Sequence, residues 1–323
     1  MNNDEFFIRR CIELAKNGLG SVQPNPMVGA VIVCDGEVIG EGYHQKYGEP
    51  HAEVNAINSV ADKELLREST IYVSLEPCSH YGKTPPCADK LIEMGFPRVV
   101  IGSTDPNEKV NGKGIAKLRD AGINVTVGVL KDECDELNKR FFTYHLKRRP
   151  YVILKWAQTA DGYMDIDRSA NPNGKYWITN DKMKVLSHRW RSEEQAILIG
   201  YNTYVNDRPQ LTTRLWPGKD PARYIACRNP ENAEPIDGFT LVPEKPELAL
   251  QRLYDDKMQS VIIEGGRKTL DRYLASGLWD EARVLTGNQT WGAGTAASKL
   301  TGGTCVRRET IEDNTVEIYV NRG

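Results

Sequence analysis

Short apolar segments alternate with helical patterns along the chain, and this alternation limits the possible folds more than any other feature. Residues 28–34, 70–75 and 196–200 are mainly apolar, and each contains valine or isoleucine, as buried strands do. Between such segments, apolar residues recur every three or four positions, for example over residues 87–94, which indicates helices. Strands that alternate with helices are typical of α/β folds, in which helices cover both faces of a mainly parallel sheet. We therefore predict an α/β fold.

The alternation is interrupted once, by a basic segment at residues 147–150. A chain of 323 residues corresponds to about two domains. We interpret the basic segment as a solvated linker in preference to a binding patch, because a short run of charges is usually a solvated surface. The expected domains are residues 1–147 and residues 150–323.

Composition excludes several classes of protein. The 42 lysine and arginine residues are balanced by 44 acidic residues, so the chain lacks the overall basic character of proteins that bind nucleic acid or anionic membranes. No run of about 18 apolar residues is present, and the first residues do not resemble a signal peptide. Seven cysteines, an odd number without dense spacing, indicate a reduced chain. We expect a cytoplasmic protein whose partners include neither nucleic acid nor membrane.

Three potential metal ligands and one carboxylate follow one another in the order found in zinc-dependent deaminases. His51 and Glu53 form a His-x-Glu motif, and Cys78 and Cys87 each follow a proline. An imidazole and two thiolates suit Zn²⁺ and leave a fourth position for water, whose pKa the metal lowers toward neutral. We therefore predict that His51, Cys78 and Cys87 bind zinc. Glu53 is the predicted catalytic residue, which takes a proton from the water and passes it to the substrate.

Three other interpretations of this motif remain open. The cysteines can be unrelated buried thiols. The ligands can also form a closed structural zinc site without turnover, which needs a fourth ligand, and His80 is the local candidate. A nucleic-acid deaminase is the third class. Those enzymes show Pro-Cys-x-x-Cys and a basic surface, whereas eight residues separate Cys78 from Cys87 here.

A second pattern lies at residues 260–270, where a strand signal is followed by Gly265-Gly266 and the start of a helix. Paired glycines let the backbone approach a phosphate, and a helix N-terminus supplies N–H donors for it. Taken alone the pattern is weak, because glycine pairs after strands are often only turns. It also differs from the Gly-x-Gly-x-x-Gly fingerprint of a standard Rossmann domain, which is therefore disfavoured.

Longer stretches of the chain resemble the bifunctional deaminase/reductase family of riboflavin biosynthesis. The stretches similar to its deaminase domain are residues 23–29, 42–44, 76–87 and 105–107. The stretches similar to its reductase domain follow in the family's order and are residues 155–162, 177–179, 191–192, 200–203, 206–214 and 262–270. The resemblance covers nearly the whole chain, from about Asp4 to the C-terminus.

The resemblance implies a cytidine-deaminase-like N-terminal domain and a dihydrofolate-reductase-like C-terminal domain. The first would be a zinc-dependent pyrimidine deaminase and the second an NADPH-dependent reductase. The implied reactions are deamination of 2,5-diamino-6-(5-phosphoribosylamino)pyrimidin-4(3H)-one and then reduction of its ribosyl group to ribityl, which yields 5-amino-6-(5-phosphoribitylamino)uracil. One Zn²⁺ per chain and NADPH are the implied cofactors. A phosphorylated pyrimidine is the implied small-molecule substrate, and a homodimer is the implied assembly.

The resemblance also implies residues for each ligand. Those expected to line the deaminase substrate pocket are Asn25, His44, Lys46, Asp105 and Asn107. Those expected to bind NADPH are Gln158, Trp177, Thr203, Asp207, Gly266, Arg267, Lys268, Thr269, Leu270, Asp271 and Arg272. Those expected to face the reductase substrate are Lys155, Lys175, Arg191, Leu211, Arg214 and Glu264, among which Arg191 and Arg214 suit a phosphate.

The second domain departs from the family pattern in several places. The loop at residues 165–175 is long and does not align securely, and Lys175 stands where a small polar residue is more usual. Gln158 likewise stands where a small residue is common, so a contact of its backbone with the cofactor would survive better than one of its side chain. These differences keep open the hypothesis that the second domain binds NADPH but has lost or changed its reaction.

Overall fold

The computed structural model describes residues 3–81, 85–107, 110–167 and 176–322, and the chain forms two compact units, Met1–Lys147 and Arg148–Gly323. Both units combine a sheet with helices, so the predicted α/β class is confirmed. None of the helices within the described ranges is long and apolar enough to cross a membrane.

The first unit contains a five-stranded sheet in the order β2-β1-β3-β4-β5. Its elements are α1 (Asn3–Ala15), β1 (Gly29–Cys34), β2 (Glu37–Tyr43), α2 (Ala52–Ser59), β3 (Thr70–Leu75), α3 (Cys87–Met94), β4 (Arg98–Ser103), α4 (Lys113–Asp120), β5 (Asn124–Val127), α5 (Lys131–Leu137) and α6 (Lys139–Lys147).

The expected mainly parallel sheet has one exception in this first unit, strand β1. Strand β1 runs antiparallel to both of its neighbours, β2 and β3, whereas β3, β4 and β5 are parallel to one another. The reason is the turn at Asp35-Gly36, which reverses the chain between β1 and β2. Helix α2 then carries the chain across β1, so that β3 lies on the other side of β1 and runs in the direction of β2.

Both faces of this sheet are buried, as the residues of β1 show. Ala30 and Ile32 contact a cluster formed with α2, α3 and α4, whereas Val31 and Val33 contact a cluster formed with α1 and α5. Because successive strand residues point to opposite faces, a strand covered on both sides is apolar at every position. This explains the continuous apolar run in the sequence of β1.

The second unit contains an eight-stranded sheet in the order β10-β9-β8-β11-β6-β12-β15-β14. Its elements are β6 (Tyr151–Gln158), β7 (Tyr163–Asp165), α7 (Asp181–Glu193), β8 (Ala196–Gly200), α8 (Tyr201–Asp207), β9 (Ala222–Cys227), β10 (Thr240–Pro243), α9 (Pro246–Asp255), β11 (Ser260–Ile263), α10 (Arg267–Ser276), β12 (Glu281–Thr286), β13 (Thr295–Ala296), β14 (Thr304–Ile311) and β15 (Asn314–Val320).

Six neighbouring strands of this sheet, from β10 to β12, are parallel, and only β15 and β14 close it in antiparallel pairing. The carboxyl ends of the parallel strands therefore meet at one edge, where α/β sheets commonly bind ligands. Strands β7 and β13 form a separate two-stranded sheet.

The expectation of a solvated linker at residues 147–150 is wrong for Arg149, whose side chain is largely buried. The Arg149 guanidinium donates hydrogen bonds of 2.5 and 2.7 Å to the Asp280 carboxylate, and the two side chains are only 14% and 8% exposed. Asp280 also accepts a hydrogen bond from the backbone N–H of Val152. Arg149 thus belongs to the packed second unit, and its positive charge is paired with the Asp280 carboxylate.

The last helical segment of the first unit is divided into two helices, α5 and α6, which meet at Asn138. The buried Asn138 side chain accepts a hydrogen bond from the backbone N–H of Met27 and donates one to its carbonyl, both at 2.8 Å. This amide therefore ties the segment that carries Asn25 to the helical layer. Such a contact between residues 111 positions apart has no local sequence signal.

Candidate active sites

The three predicted zinc ligands lie together in the first unit. His51 caps the start of α2, Cys78 follows the end of β3, and Cys87 is the first residue of α3. Their ligand atoms lie within 4.8 Å of one another, and Nδ1 of His51 is 3.6 Å from the Cys78 sulfur and 3.3 Å from the Cys87 sulfur. This set of one imidazole and two thiols fits Zn²⁺, with Nδ1 as the ligand nitrogen of His51.

Close packing of β2 against α2 sets the position of this site. A Cβ atom on Gly42 would lie 2.3 Å from the backbone nitrogen of Ala56 and 2.7 Å from the carbonyl oxygen of Ala52. Any larger residue at position 42 would therefore push α2, and with it His51, away from the sheet.

Hydrogen bonds among the three side chains favour a thiolate at Cys78. The pKa of the Cys78 thiol is lowered to about 4, first because Cys87 donates a hydrogen bond to it and also because of His51. The hydrogen bond with Cys78 in turn raises the pKa of His51 to about 9, and the bond to Cys78 together with burial raises the pKa of Cys87. Cysteine binds metal as the thiolate and histidine as the neutral imidazole, so metal binding at a site of this kind is coupled to the release of protons.

Glu53 lies in the first turn of α2 and is only 3% exposed. Burial raises the pKa of its carboxyl group, and the neighbouring His51 opposes this shift. A carboxylate whose pKa is moved toward neutral suits proton transfer better than an ordinary one does. Its position beside the ligand set, and not within it, fits the predicted catalytic role.

A fourth protein ligand is absent from the ligand set in the part of the chain that the structure describes. His80, the candidate for a closed zinc site, is exposed and does not belong to the group of His51, Cys78 and Cys87. An open fourth position is typical of catalytic zinc sites.

Asn25 and His44, both expected to contact substrate, lie next to the ligand set. The Asn25 amide nitrogen lies 3.1 Å from Nε2 of His44, and Nδ1 of His44 lies 3.1 Å from the carbonyl oxygen of Pro50. A carbonyl only accepts, so Nδ1 carries the proton and Nε2 accepts from Asn25. The His44 ring centre is 5.2 Å from that of His51. Lys46, also expected to contact substrate, is exposed.

Asp105 and Asn107 follow β4, and Cys78 follows the parallel neighbouring strand β3. All three residues therefore lie beyond the carboxyl ends of these strands, at one edge of the sheet. Oδ1 of Asp105 accepts a hydrogen bond of 2.8 Å from the backbone N–H of Asn107. Asp105 is 8% exposed, and burial raises the pKa of its carboxyl group to about 6. The backbone N–H of Asp105 donates a hydrogen bond of 3.2 Å to Glu76, which is not among the site residues predicted from the sequence. The signal that could have pointed to Glu76 is a carboxylate at the buried end of an apolar strand, where charge must be compensated.

In the second unit, Lys155, Arg191 and Glu264 form a buried charge cluster. Lys155 lies on β6 and Glu264 directly follows the adjacent strand β11, while Arg191 comes from α7. Glu264 accepts hydrogen bonds of 3.1 and 2.7 Å from the Arg191 guanidinium and lies 3.7 Å from the Lys155 ammonium. The three side chains are between 11% and 13% exposed. Three of the residues expected to face the reductase substrate are thus brought together, with Glu264 in contact with both cations.

Arg191 links this cluster to the segment that carries Leu211 and Arg214. Its Nη1 donates a hydrogen bond of 3.2 Å to the carbonyl of Thr212. Arg214 is exposed and borders a surface pocket of about 820 Å³ lined by residues 210, 212–218, 220 and 223. The Leu211 side chain is 3% exposed and packs in a cluster with residues 197, 199 and 225, which leaves its backbone for ligand contacts. Lys175 lies outside the described residues.

The residues expected to bind NADPH meet in part at the carboxyl edge of β8 and β11. Oγ1 of Thr203 accepts a hydrogen bond of 2.8 Å from the backbone N–H of Gly266, the residue that caps α10. Gly265 has a φ of +91°, which favours glycine, and open space lies where its Cβ would be. The strand, glycine pair and helix that the sequence predicts are therefore present, with backbone open to a ligand.

The other expected NADPH residues differ in their surroundings. Trp177 is 63% exposed, and the Gln158 side chain accepts a hydrogen bond of 2.9 Å from the Trp156 indole. Leu270 is fully buried in the core, so only its backbone can contact a cofactor. The remaining ones, on α8 and at the start of α10, are Asp207, Arg267, Lys268, Thr269, Asp271 and Arg272.

His188, which lies on α7 one turn before Arg191, is not among the residues predicted from the sequence. It is 4% exposed, and its Nδ1 atom has no hydrogen-bond partner among the described residues. Burial and the nearby arginines lower its pKa, so the imidazole is neutral beside the charge cluster. Its place one helical turn from Arg191 is the only sequence signal that points to it.

Comparison with known proteins gives matches to both units. A family model for the cytidine and deoxycytidylate deaminase zinc-binding region matches residues 1–103, and a model for the RibD C-terminal domain matches residues 150–318. The chain is 37% identical over 329 residues to riboflavin biosynthesis protein RibD of Aquifex aeolicus, covering 92% of this chain and 90% of the relative. It is 37% identical over 341 residues to the protein of the same name from Bacillus amyloliquefaciens, covering 93% and 88%.

Two solved structures extend the similarity over nearly every residue. One is a diaminohydroxyphosphoribosylaminopyrimidine deaminase/5-amino-6-(5-phosphoribosylamino)uracil reductase from Thermotoga maritima, with a TM-score of 0.89, 36% identity and 99% of each chain covered. The other is RibD of Acinetobacter baumannii, with a TM-score of 0.87, 31% identity and 99% of each chain covered. These matches confirm the predicted cytidine-deaminase-like and dihydrofolate-reductase-like domains.

Proposed function

Since this chain belongs to the RibD family of riboflavin biosynthesis proteins, and is a bifunctional enzyme with a deaminase and a reductase domain, we propose how its own residues carry out the two steps. The first step is deamination of 2,5-diamino-6-(5-phosphoribosylamino)pyrimidin-4(3H)-one. The second is reduction of the ribosyl group to ribityl, with NADPH. The observation that carries the proposal is the open ligand set of His51, Cys78 and Cys87 beside the buried Glu53.

In the deaminase domain, His51, Cys78 and Cys87 would hold Zn²⁺, which when bound lowers the pKa of a water molecule toward neutral. Glu53 accepts a proton from the attacking water and delivers it to a ring nitrogen of the pyrimidine. It then takes a second proton, from the hydroxyl group that the water has added, and delivers it to the amino group, which leaves as ammonia. The raised pKa that burial gives Glu53 suits both transfers, since the same carboxyl group must take up and release a proton near neutral pH.

Substrate orientation in this domain is assigned to Asn25, His44, Asp105 and Asn107. The neutral His44 holds the Asn25 amide through its Nε2 atom and is itself held by the Pro50 carbonyl. Asn25 therefore presents its amide oxygen as an acceptor for the amino and ring N–H groups of a pyrimidine. We assign the substrate phosphate to Lys46, whose side chain is exposed.

In the reductase domain, the glycine pair at the start of α10 and Thr203 fit a dinucleotide phosphate, and NADPH when bound supplies the hydride. The chain's residues bind and orient the sugar against it and exclude water. We assign the substrate phosphate to Arg214 in preference to Arg191. The Arg191 guanidinium is already committed to Glu264 and Thr212, whereas Arg214 is exposed at the pocket.

The assembly that we propose is a homodimer in the cytoplasm. Strand β14 lies at the edge of the eight-stranded sheet, is exposed over most of its length and carries Val306, which is 50% exposed. An exposed edge strand of this kind readily pairs with a second copy. All seven cysteines are free thiols, as is usual in a reducing compartment.

Light scattering tests the proposed homodimer. It should give twice the mass of 36.3 kDa for one chain, and a single-chain mass at micromolar concentration would contradict the homodimer.

The experiment that tests the proposed function follows the mass of the product. Zinc-loaded protein is incubated with the diamino-pyrimidinone substrate and NADPH. Deamination replaces NH by O, and reduction adds two hydrogens, so each step leaves its own mass change. We expect both changes. Deamination alone would mean that the second domain has changed its reaction. If zinc-loaded protein produces neither mass change, the proposed substrate is contradicted.

A further inference from the structure

Glu76 makes an unusual set of contacts two residues before the zinc ligand Cys78. Its side chain follows β3 and is only 4% exposed. From the described residues the carboxylate accepts four hydrogen bonds, each donated by a backbone N–H group. The donors are Asp105 at 3.2 Å, Gly112 at 2.9 Å, Gly114 at 2.9 Å and Ile115 at 3.2 Å. Backbone N–H groups of another segment thus compensate this buried carboxylate.

The two carboxylate oxygens serve different parts of that segment. Oε2 accepts from Asp105, at the start of the loop after β4, and from Gly112. Oε1 accepts from Gly114 and Ile115, in the first turn of α4. The N-cap of α4 is Gly112, which has no side chain to cap the helix. Glu76 therefore takes the place of a local cap, with its negative charge at the positive end of the helix.

We propose that Glu76 is a positioning residue for the deaminase substrate, which it serves by holding the loop of Asp105 and Asn107 against the zinc-ligand strand. The path is short and continuous. The backbone N–H of Glu76 donates to the carbonyl of Ser103 at 2.8 Å, its Oε2 accepts from Asp105, and Asp105 accepts from Asn107. The inference rests on the proposed function, because Asp105 and Asn107 contact substrate only in that assignment.

Packing at Gly114 ties the same helix to the residue before Cys78. A Cβ atom on Gly114 would lie 2.2 Å from the carbonyl oxygen of Pro77 and 3.2 Å from Oε1 of Glu76. The start of α4 thus touches the backbone of Pro77 directly. A shift of α4 moves either the Asp105 loop or the backbone beside Cys78, because no space is left between them.

Glu76→Gln is the informative variant, because it keeps the size of the side chain and removes the charge. Glutamine has one acceptor oxygen, and its amino group would face two backbone donors, so one pair of hydrogen bonds is lost in either orientation. We expect the KM for deamination to rise about tenfold or more, with a smaller change in kcat and with zinc content unchanged. Reductase activity of the same full-length chain should stay the same and serves as the internal control.

Hydrogen exchange provides a readout that does not depend on activity. The amides of Asp105, Gly112, Gly114 and Ile115 should exchange faster in Glu76→Gln than in the wild type. Glu68→Gln is the matched control, since Glu68 is exposed shortly before β3, and it should change neither exchange nor KM. Gly114→Ala perturbs the same contact from the other side and should also raise KM.

The outcomes separate the inference from the proposed function. A wild-type protein without deaminase activity would overturn the proposed function, whereas exchange at the four amides would still report on the contact. If the wild type deaminates and both Glu76→Gln and Gly114→Ala keep the wild-type KM, Glu76 does not position the substrate. Loss of kcat in proportion to loss of zinc, at constant KM, would likewise overturn the inference, because it would mean that Glu76 only maintains the metal site.

Discussion

Replacing Glu53 by glutamine should reduce deamination by about 10²- to 10⁴-fold, while the protein keeps its zinc and its reductase activity. Glutamine has the shape of glutamate but neither accepts nor delivers a proton at neutral pH. Glu53 is not among the three side chains whose ligand atoms lie within 4.8 Å of one another, so its replacement leaves the metal ligands in place. On one preparation, ammonia release measures deamination, metal content measures bound zinc and NADPH oxidation measures reductase activity.

Cys87→Ser is the matched variant for this experiment. Cys87 is a proposed ligand, so its loss should remove zinc and deamination together, whereas Glu53→Gln should separate them. Cys305→Ser, an exposed cysteine of the second unit, controls for thiol replacement and should alter neither. Unchanged deamination in Glu53→Gln would refute the catalytic assignment and favour a site in which zinc has a structural role.

Replacing Glu264 by glutamine should have the second large effect, a loss of reductase activity together with a loss of stability. The carboxylate lies 2.7 Å from the Arg191 guanidinium and 3.7 Å from the Lys155 ammonium, and all three side chains are largely buried. Glutamine would leave two buried cations next to each other without their counter-ion. Breaking a buried ion pair in this way costs about 3 to 5 kcal/mol in free energy of unfolding.

The stabilisation of the folded chain by Glu264 depends on pH. Burial alone would raise the pKa of Glu264, but the charges of Arg191 and Lys155 outweigh it and lower the pKa from 4.5 to about 2. Burial lowers the pKa of the Lys155 ammonium, and Glu264 opposes that change. The unfolded chain therefore takes up the Glu264 proton first as the pH falls. The stability from this carboxylate is present above pH 4.5 and is lost as the pH falls toward 2.

Urea unfolding of the full chain at several pH values measures this effect. The difference in unfolding free energy between the wild type and Glu264→Gln should be largest near neutral pH and should shrink as the pH approaches 2. Glu234→Gln, in an exposed loop of the same unit, is the control and should follow the wild type. A difference that stays constant with pH would show that the charge of Glu264 is not what stabilises the unit.

The fold class and the zinc site could be predicted because local chemistry carries their signals. Strand and helix periodicity is visible within about ten residues. The order of His51, Glu53, Cys78 and Cys87 restricts the metal and the reaction even though the residues are far apart, since few other sites need these side-chain types together. The direction of β1 is the exception. The Asp35-Gly36 hairpin signal is present, but the crossing of α2 over β1 depends on the packing of the whole unit.

The sequence by itself thus determined the α/β class and the family to which the chain belongs, and it supplied the prediction of the zinc ligands and of Glu53 as the proton-transfer residue. Tertiary structure alone decided which groups support those residues. The four donors to Glu76 lie 29 to 39 positions away and are backbone N–H groups, which have no side-chain signature in a sequence. Arg191 and Glu264 are 73 positions apart, and only the alignment of α7 with the end of β11 brings them to 2.7 Å. Contacts of this kind depend on how strands and helices pack, because neither partner's local sequence specifies the other.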